Sequence, residues 1–371
     1  MRITRLFIDN YKCFVGFDFK PQAIQPIFGL NGTGKSTFFE VLASLKQVVT
    51  LGHPISDHFG ERVLTRWLPT RSIHIVLEIG HDDWEYRYEL KIVLDGTTNY
   101  PEVRQEVLKT QHRTLFERND DRAVLHNDMD GTSQELLVDM SRSGLSLVNP
   151  RRGTNLLVGF RSWLANLHLI ALHPGLMRES SSAGEETTLN WGGSNFVSWL
   201  RHIAQKQLAA MGDLNTDLRE ALEGFDSLRL DSEGGRRVLR TLMRDREGHF
   251  KGIPFDFGEL SDGQRVLIAL YTILHGVKGR DVVLLLDEPA NYLALAEIQP
   301  YLVRLRDAVG DGVAQVFVVT HNPEAINYLA PDGGVIFDRP DGGSVRILPF
   351  PEVNPDGITA AELLARGWVD G

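Results

Sequence analysis

The stretch Gly29-Leu30-Asn31-Gly32-Thr33-Gly34-Lys35-Ser36 decides how this chain is read. It fits the pattern G-x-x-x-x-G-K-[ST] at each fixed position, the Walker A loop that turns backbone N–H groups inward around phosphate oxygens. Glycines permit the turns, and the helix that follows adds a dipole favourable to anions. Lys35 is expected to reach the β- and γ-phosphates of ATP and the Ser36 hydroxyl to ligate Mg²⁺, with Asn31, Gly32, Thr33, Gly34 and Thr37 completing the cradle. The flanks agree. Ile24 to Phe28 is a short apolar strand running into the loop, and Phe38, Val41, Leu42, Leu45 and Val48 recur at helical spacing after it. A chance match inside a coil would carry neither.

Three further stretches follow in an order that reinforces the first. Val282-Val283-Leu284-Leu285-Leu286 is an apolar strand that ends in Asp287-Glu288-Pro289, the Walker B layout. Asp287 is expected to hold Mg²⁺ through water, and Glu288 to act as general base or to position the attacking water. A buried strand with a solvated acidic end is common in parallel sheets, so the pair gains its weight from the upstream loop. Leu260-Ser261-Asp262-Gly263-Gln264 precedes an apolar helix, and Ser261 with the Gly263 N–H forms a helix start suited to an anion. Ser-Asp-Gly is also an ordinary turn and cap. Downstream, the apolar strand Ala314 to Val319 ends in Thr320-His321-Asn322-Pro323, and a short helix follows.

The bulk numbers exclude several classes. The 371 residues are 42% hydrophobic and 24% charged, as in ordinary globular proteins. The one cysteine, Cys13, can form neither an internal disulfide nor a cysteine metal site, and a cytoplasmic address is expected. No apolar run approaches the roughly 20 residues that span a bilayer, so no membrane partner is expected. A net charge of −10 argues against coating nucleic acid with the whole surface, while leaving room for a local basic groove.

Together these motifs resemble the ABC-type ATPases that include RecF, the heads of structural-maintenance-of-chromosomes (SMC) proteins and the overcoming-lysogenization-defect (OLD) ATPases. The opening RITRLFIDNYKCF resembles the N-terminal strand of that group. The nearest likeness is to stand-alone AAA_21-like bacterial ATPases associated with anti-phage defence or DNA repair. The resemblance implies an α/β P-loop head with a mixed central sheet, an antiparallel β-subdomain and a helical signature lobe. Residues 1–175 would form the nucleotide lobe, 176–270 the helical lobe ending in the signature, and 271–371 the part that completes the first lobe. Leu260 to Gln264 stands where that group has its LSGGQ signature, so Ser261 and Gly263 would contact the γ-phosphate held by a second copy in a head-to-tail homodimer. His321 would be the switch histidine at the γ-phosphate. Asn291 falls in the D-loop near the interface, although the segment lacks the usual Asp or His.

Other features weigh less. Lys12, beside Tyr11, is a candidate contact to the nucleotide base or phosphates. Gln47, Gln105 and Gln111 all remain open as the Q-loop glutamine. The stretch after His321 lacks the acidic constellation of a TOPRIM nuclease, so a nuclease or toxin effector is expected as a separate chain, with DNA a further candidate partner. Ile73 to Leu94 reads as a hairpin around His81-Asp82-Asp83, residues 102–160 as weakly periodic, and Arg178 to Asn195 as a mobile loop. Helices are expected over Phe196 to Met211 and Leu214 to Leu222. Arg229, Arg236, Arg237, Arg240, Arg244 and Arg246 alternate with Asp231, Glu233, Asp245 and Glu247, which favours a salt-bridged face over a DNA patch. Trp191 and Trp199 read as core or interface anchors. An ATP-driven cycle that gates a partner is thus the leading reading, and a nucleotide-dependent scaffold with little turnover the alternative.

Overall fold

In a computed structural model the described residues are 1–81, 83–245, 252–351 and 358–366. Asp82, Arg246 and Glu247, singled out above, lie outside them. The chain divides into two compact units, Met1–Leu167 with Gly333–Phe350, and His168–Asp332 with Pro351–Gly371.

The first unit is built around an eight-stranded antiparallel sheet. Its order is Phe17–Phe19, Arg2–Asp9, Ser72–Gly80, Trp84–Leu94, Pro101–Thr110, Thr114–Asn119, Arg122–His126 and Ser133–Leu137. The alternation of Arg2–Asp9 buries Ile3, Leu6 and Ile8, and Leu6 stands opposite Leu77. The expected hairpin is present, with Ile75 opposite Leu90 and Leu77 opposite Tyr88. The weakly periodic region, by contrast, holds four further strands and the helices Gly144–Leu147 and Asn155–Ala165. Its pattern is obscured at Arg104, where the register slips so that Gln105 faces Lys91 while Val103 faces Ile92. It is obscured again at Glu106, a fully buried carboxylate that accepts from the Tyr88 hydroxyl at 2.8 Å and from the Gly144 N–H at 2.7 Å.

Within the same unit Ile24–Phe28 pairs in parallel with Val335–Asp338, which pairs antiparallel with Arg346–Pro349, so this sheet is mixed. Helix Lys35–Thr50 buries Phe38, Val41, Leu42, Leu45 and Val48, the helical-spacing stripe read in the sequence, and Phe39 and Val49 beside it. An aromatic cluster fixes it. The Phe337 ring lies 5.4 Å from Phe17, 5.9 Å from Phe19 and 5.9 Å from Phe38, all edge-on. Such pairs add about 0.5–1.5 kcal/mol each beyond the area they bury.

In the second unit Val282–Asp287 runs parallel to Val313–Val319, with Leu285 opposite Phe317 and Asp287 opposite Val319. Both strands are apolar on both faces, as a parallel pair covered by helices requires. The helices are Phe196–Lys206, Leu208–Ala221, Asp262–Val277, Leu295–Ala308, Pro323–Leu329 and Ala360–Ala365. The arginine-rich segment is a hairpin, Phe225–Glu233 with Arg236–Met243. Three of its arginines are paired: Arg229 with Asp231 at 2.7 Å, Arg240 with Glu233 and Asp256 at 2.8 Å, and Arg236 with Glu179 at 3.1 Å. Within the segment from Arg178 to Asn195, Ser181–Ser182 pairs with the second strand of this hairpin, and the Asn195 amide donates to Glu186 at 2.6 Å and to the Thr188 carbonyl at 2.9 Å. Trp199 is buried, whereas Trp191 is half exposed with its ring 5.4 Å from His173.

Candidate functional site

The phosphate-loop residues belong to the first unit. Gly34, immediately before the helix, has φ +97°, and a Cβ there would come within 2.8 Å of the buried Cys13 sulfur. No other residue combines that backbone with that clearance. Burial pushes the Cys13 thiol up, so this sulfur acts as a packing atom. Lys35 is almost fully buried, and its ammonium donates to the carbonyls of Gly29 and Leu30 at 2.8 Å each. The Thr33 hydroxyl donates to the Leu30 carbonyl at 2.9 Å, which closes the loop on itself. Asn31 and Gly32 are exposed on the loop, and in the first helical turn Ser36 is exposed and Thr37 half-buried. Lys12 lies apart from these contacts: its ammonium is held by Glu40, 2.7 Å to Oε1, and the same carboxylate accepts from the Tyr11 hydroxyl at 3.0 Å.

One neighbour of the loop escaped the sequence reading. Arg339 donates from Nη1 to the Gly32 carbonyl at 3.3 Å and from Nε to the Gly343 carbonyl at 2.7 Å, and its guanidinium lies 5.4 Å from the centre of the Trp67 ring. Nothing in a local pattern marks it, because Gly32 and Arg339 are brought together only by the pairing of Ile24–Phe28 with Val335–Asp338.

The second unit holds Ser261, Gly263, Asp287, Glu288, Asn291 and His321. Ser261 caps helix Asp262–Val277: its hydroxyl accepts from the Gln264 N–H at 3.2 Å, and the Gln264 side chain accepts from the Ser261 N–H at 2.9 Å. This reciprocal cap fixes the start of the signature helix. Gly263 packs against the D-loop, where an added Cβ would sit 2.7 Å from the Tyr292 carbonyl oxygen. Asn291 is exposed, and its N–H donates to the Glu288 carbonyl at 3.3 Å.

Glu288 is the unusual residue. Its φ is +52°, a left-handed conformation that costs a side chain with a Cβ about 1–2 kcal/mol. Hydrogen bonds hold it there. Its N–H donates to the Val319 carbonyl at 2.9 Å, and its carboxylate accepts from the His321 N–H at 3.1 Å. The His321 ring nitrogen Nε2 stands 3.5 Å from the other carboxylate oxygen. Asn322 then caps helix Pro323–Leu329, accepting from the N–H groups of Glu324 and Ala325. The two strand ends therefore place a carboxylate and an imidazole side by side, an arrangement able to orient and deprotonate a water. Among the described residues no group of three or more His, Cys, Asp or Glu side chains could hold a metal ion by itself. No helix among them is long and apolar enough to cross a membrane.

The first unit holds a strand, phosphate loop and helix, the second an acidic strand end and a capped helix, and the fold they belong to is that of an SMC-type head. A solved SMC head bound to the C-winged helix domain of ScpA has the same fold, with a TM-score of 0.52 and 15% identity, over 94% of this chain and 98% of that one. An SMC head domain from Thermotoga maritima aligns with a TM-score of 0.46 and 15% identity, over 95% of this chain and 100% of its own. The family model for AAA_21, described as an AAA domain, putative AbiEii toxin, Type IV TA system, matches residues 27–327, and the chain belongs to that family. A comparison with curated proteins returned no match.

Proposed function

We propose that this chain hydrolyses ATP and that a head-to-tail homodimer closes on the nucleotide and opens on hydrolysis, gating a separate effector. The observation that carries the reading is Glu288, held in a strained backbone conformation with its carboxylate fastened beside His321. Strain of this kind persists only where surrounding bonds over-determine it, and it gathers at reactive positions. Lys35 and the N–H groups of the loop bind the phosphates. Ser36 and Asp287 offer the hard oxygen donors that suit Mg²⁺, which when bound neutralises charge on the β- and γ-phosphates. Glu288 positions and deprotonates the attacking water, His321 donates toward the γ-phosphate, and Ser261 and Gly263 of the second copy close over it. Asn291 belongs to the same interface. The family description, a putative AbiEii toxin of a Type IV TA system, supports the defence side of this reading, and the effector is left as a separate chain of either toxin or nuclease chemistry.

The test is Glu288→Gln in the full chain, with ATP turnover and ATP-dependent dimer formation measured together. The variant should lose turnover by about 10²–10⁴-fold while still binding ATP and accumulating as a dimer. Unchanged turnover, or a monomer at saturating ATP, defeats the reading. If turnover stops and effector output persists, ATP serves as a scaffold ligand instead.

A further inference from the structure

At the far end of the eight-stranded sheet from Phe17–Phe19, beside the last strand Ser133–Leu137, lies a cavity of about 260 Å³. It is lined by Leu125, Asn127, Thr132, Ser133, Gln134, and the run Arg151, Arg152, Gly153 and Thr154. No carboxylate is in that lining, and two guanidiniums are. Arg151 spends one Nη2 donor on the neutral Gln134 amide oxygen at 2.6 Å, and among the described residues Arg152 has no side-chain partner at all. The Asn127 amide oxygen accepts from the Met129 N–H at 2.8 Å, and the Gln134 amide oxygen from Arg151, so both amides keep their NH₂ groups as donors. Of the carboxylates next to the lining in sequence, Asp128 accepts from the Leu156 N–H at 2.8 Å through Oδ2, Asp130 accepts from the Thr132 hydroxyl at 2.7 Å, and Glu135 follows Gln134 on the last strand without lining the cavity. The walls are fixed: Gly153 has φ +89° and no room for a Cβ beside the Asn127 side chain, while Thr154 is buried and exchanges hydrogen bonds with the Arg151 backbone at 2.9 and 3.1 Å.

A cavity rich in donors, carrying two positive charges and lacking anionic lining, matches a multivalent oxyanion. We propose that it binds a phosphate monoester, with the Arg152 fork meeting the phosphate oxygens and Arg151, Gln134 and Asn127 completing the donor set, while the Ser133 hydroxyl is engaged by His126 Nδ1 at 2.9 Å. Arginine suits this role because its planar fork engages phosphate in two parallel hydrogen bonds. Size supports the assignment. Sites for whole drug-sized ligands run from roughly 300 to 1,000 Å³, and a single water takes roughly 30 Å³, so this cavity fits a phosphate and its ester stub but not an entire cofactor. The site shares no lining residue with the phosphate loop, and it does not depend on ATP hydrolysis.

The experiment titrates inorganic phosphate into the full chain by calorimetry at low ionic strength, in a Lys35→Ala background that disables the phosphate loop. One binding isotherm should remain. Arg152→Gln should weaken it at least tenfold with the melting temperature unchanged, since Arg152 has no partner in the fold, and Arg152→Lys should recover part of it. An isotherm that disappears with Lys35→Ala alone, or that Arg152→Gln leaves intact, overturns the proposal. A 5′-phosphorylated oligonucleotide and its 5′-hydroxyl twin then separate the sources. Tighter binding of the phosphorylated strand, removed by Arg152→Gln, assigns the site to a strand end. Equal binding of the two strands beside a phosphate isotherm that needs Arg152 assigns it to a small phosphate ester.

Discussion

The Glu288 carboxylate accepts a hydrogen bond from the His321 backbone N–H at 3.1 Å, so the residue one step past the acidic strand end is tied to the end of the neighbouring strand. The tie uses the main chain of His321, and its ring is a separate participant, 44% exposed and 3.5 Å from the carboxylate. These two contributions can be separated. His321→Ala keeps the N–H and therefore the position of Glu288, so stability should stay within about 0.5 kcal/mol of the parent, as for most exposed positions. Turnover should fall by about 10²-fold, the usual cost of losing one donor to a developing charge. Paired urea melts and steady-state ATPase assays check both. A variant that unfolds early and turns over normally would reverse the assignment.

Lys35 stitches its own loop together through the Gly29 and Leu30 carbonyls. Removing the ammonium leaves those acceptors short of a charged donor, which costs about 1–3 kcal/mol. Lys35→Ala should therefore melt lower than the parent without nucleotide. It should also fail to gain the rise in melting temperature that ATP gives the parent, because a ligand stabilises only in proportion to its binding. Thermal melts with and without ATP distinguish the two losses. An equal ATP-dependent gain in both proteins would show that the phosphates are held elsewhere.

The parts of this head that were legible in the sequence are those in which one short segment contains its own physical cause. The phosphate loop is a glycine pattern between a strand and a helical stripe, and Ser261 with Gln264 is a cap spelled out in four residues. The strands from Pro101 to Leu137 were hidden because alternation fails where a register slip at Arg104 is followed by an inward carboxylate at Glu106. Arg339 was hidden for a different reason. Its contact with Gly32 depends on two strands far apart in sequence lying side by side, and no periodicity encodes that pairing. The left-handed backbone of Glu288 was invisible as well, since glutamate is a poor choice for such a conformation and only the bonds to Val319 and His321 impose it.

Gly263 puts helix propensity and packing in opposition. Glycine to alanine inside a helix is worth at most about 1 kcal/mol of stabilisation. Here the new Cβ would stand 2.7 Å from the Tyr292 carbonyl oxygen, a backbone atom that cannot swing aside. Overpacking of this kind costs about 1–3 kcal/mol, so the clash decides the sign. Gly263→Ala should be less stable in urea and, by displacing the Asn291–Tyr292 turn, should weaken ATP-dependent dimer formation under the proposed mechanism. Increased stability with intact dimerisation would show that the contact between this helix and the turn is soft.

Lys46 supplies a pH dependence whose sign can be worked out. It lies on the buried helix after the phosphate loop, donates to the Leu167 carbonyl at 2.7 Å, and burial pushes its pKa down to about 8. In the unfolded chain the group titrates near 10.4. Between those values the unfolded state binds more protons than the folded one, so stability rises with pH across that window. The cost of carrying a charged lysine in this position is present below pH 8 and fades above it. From pH 7.5 to pH 10 the relief should reach about 2 kcal/mol. Other groups titrate in the same range, so the measurement is a difference. Urea unfolding of the parent and of Lys46→Met at both pH values should show the parent gaining on the variant as pH rises. A constant gap between the two would mean that Lys46 keeps its ordinary pKa in the folded protein.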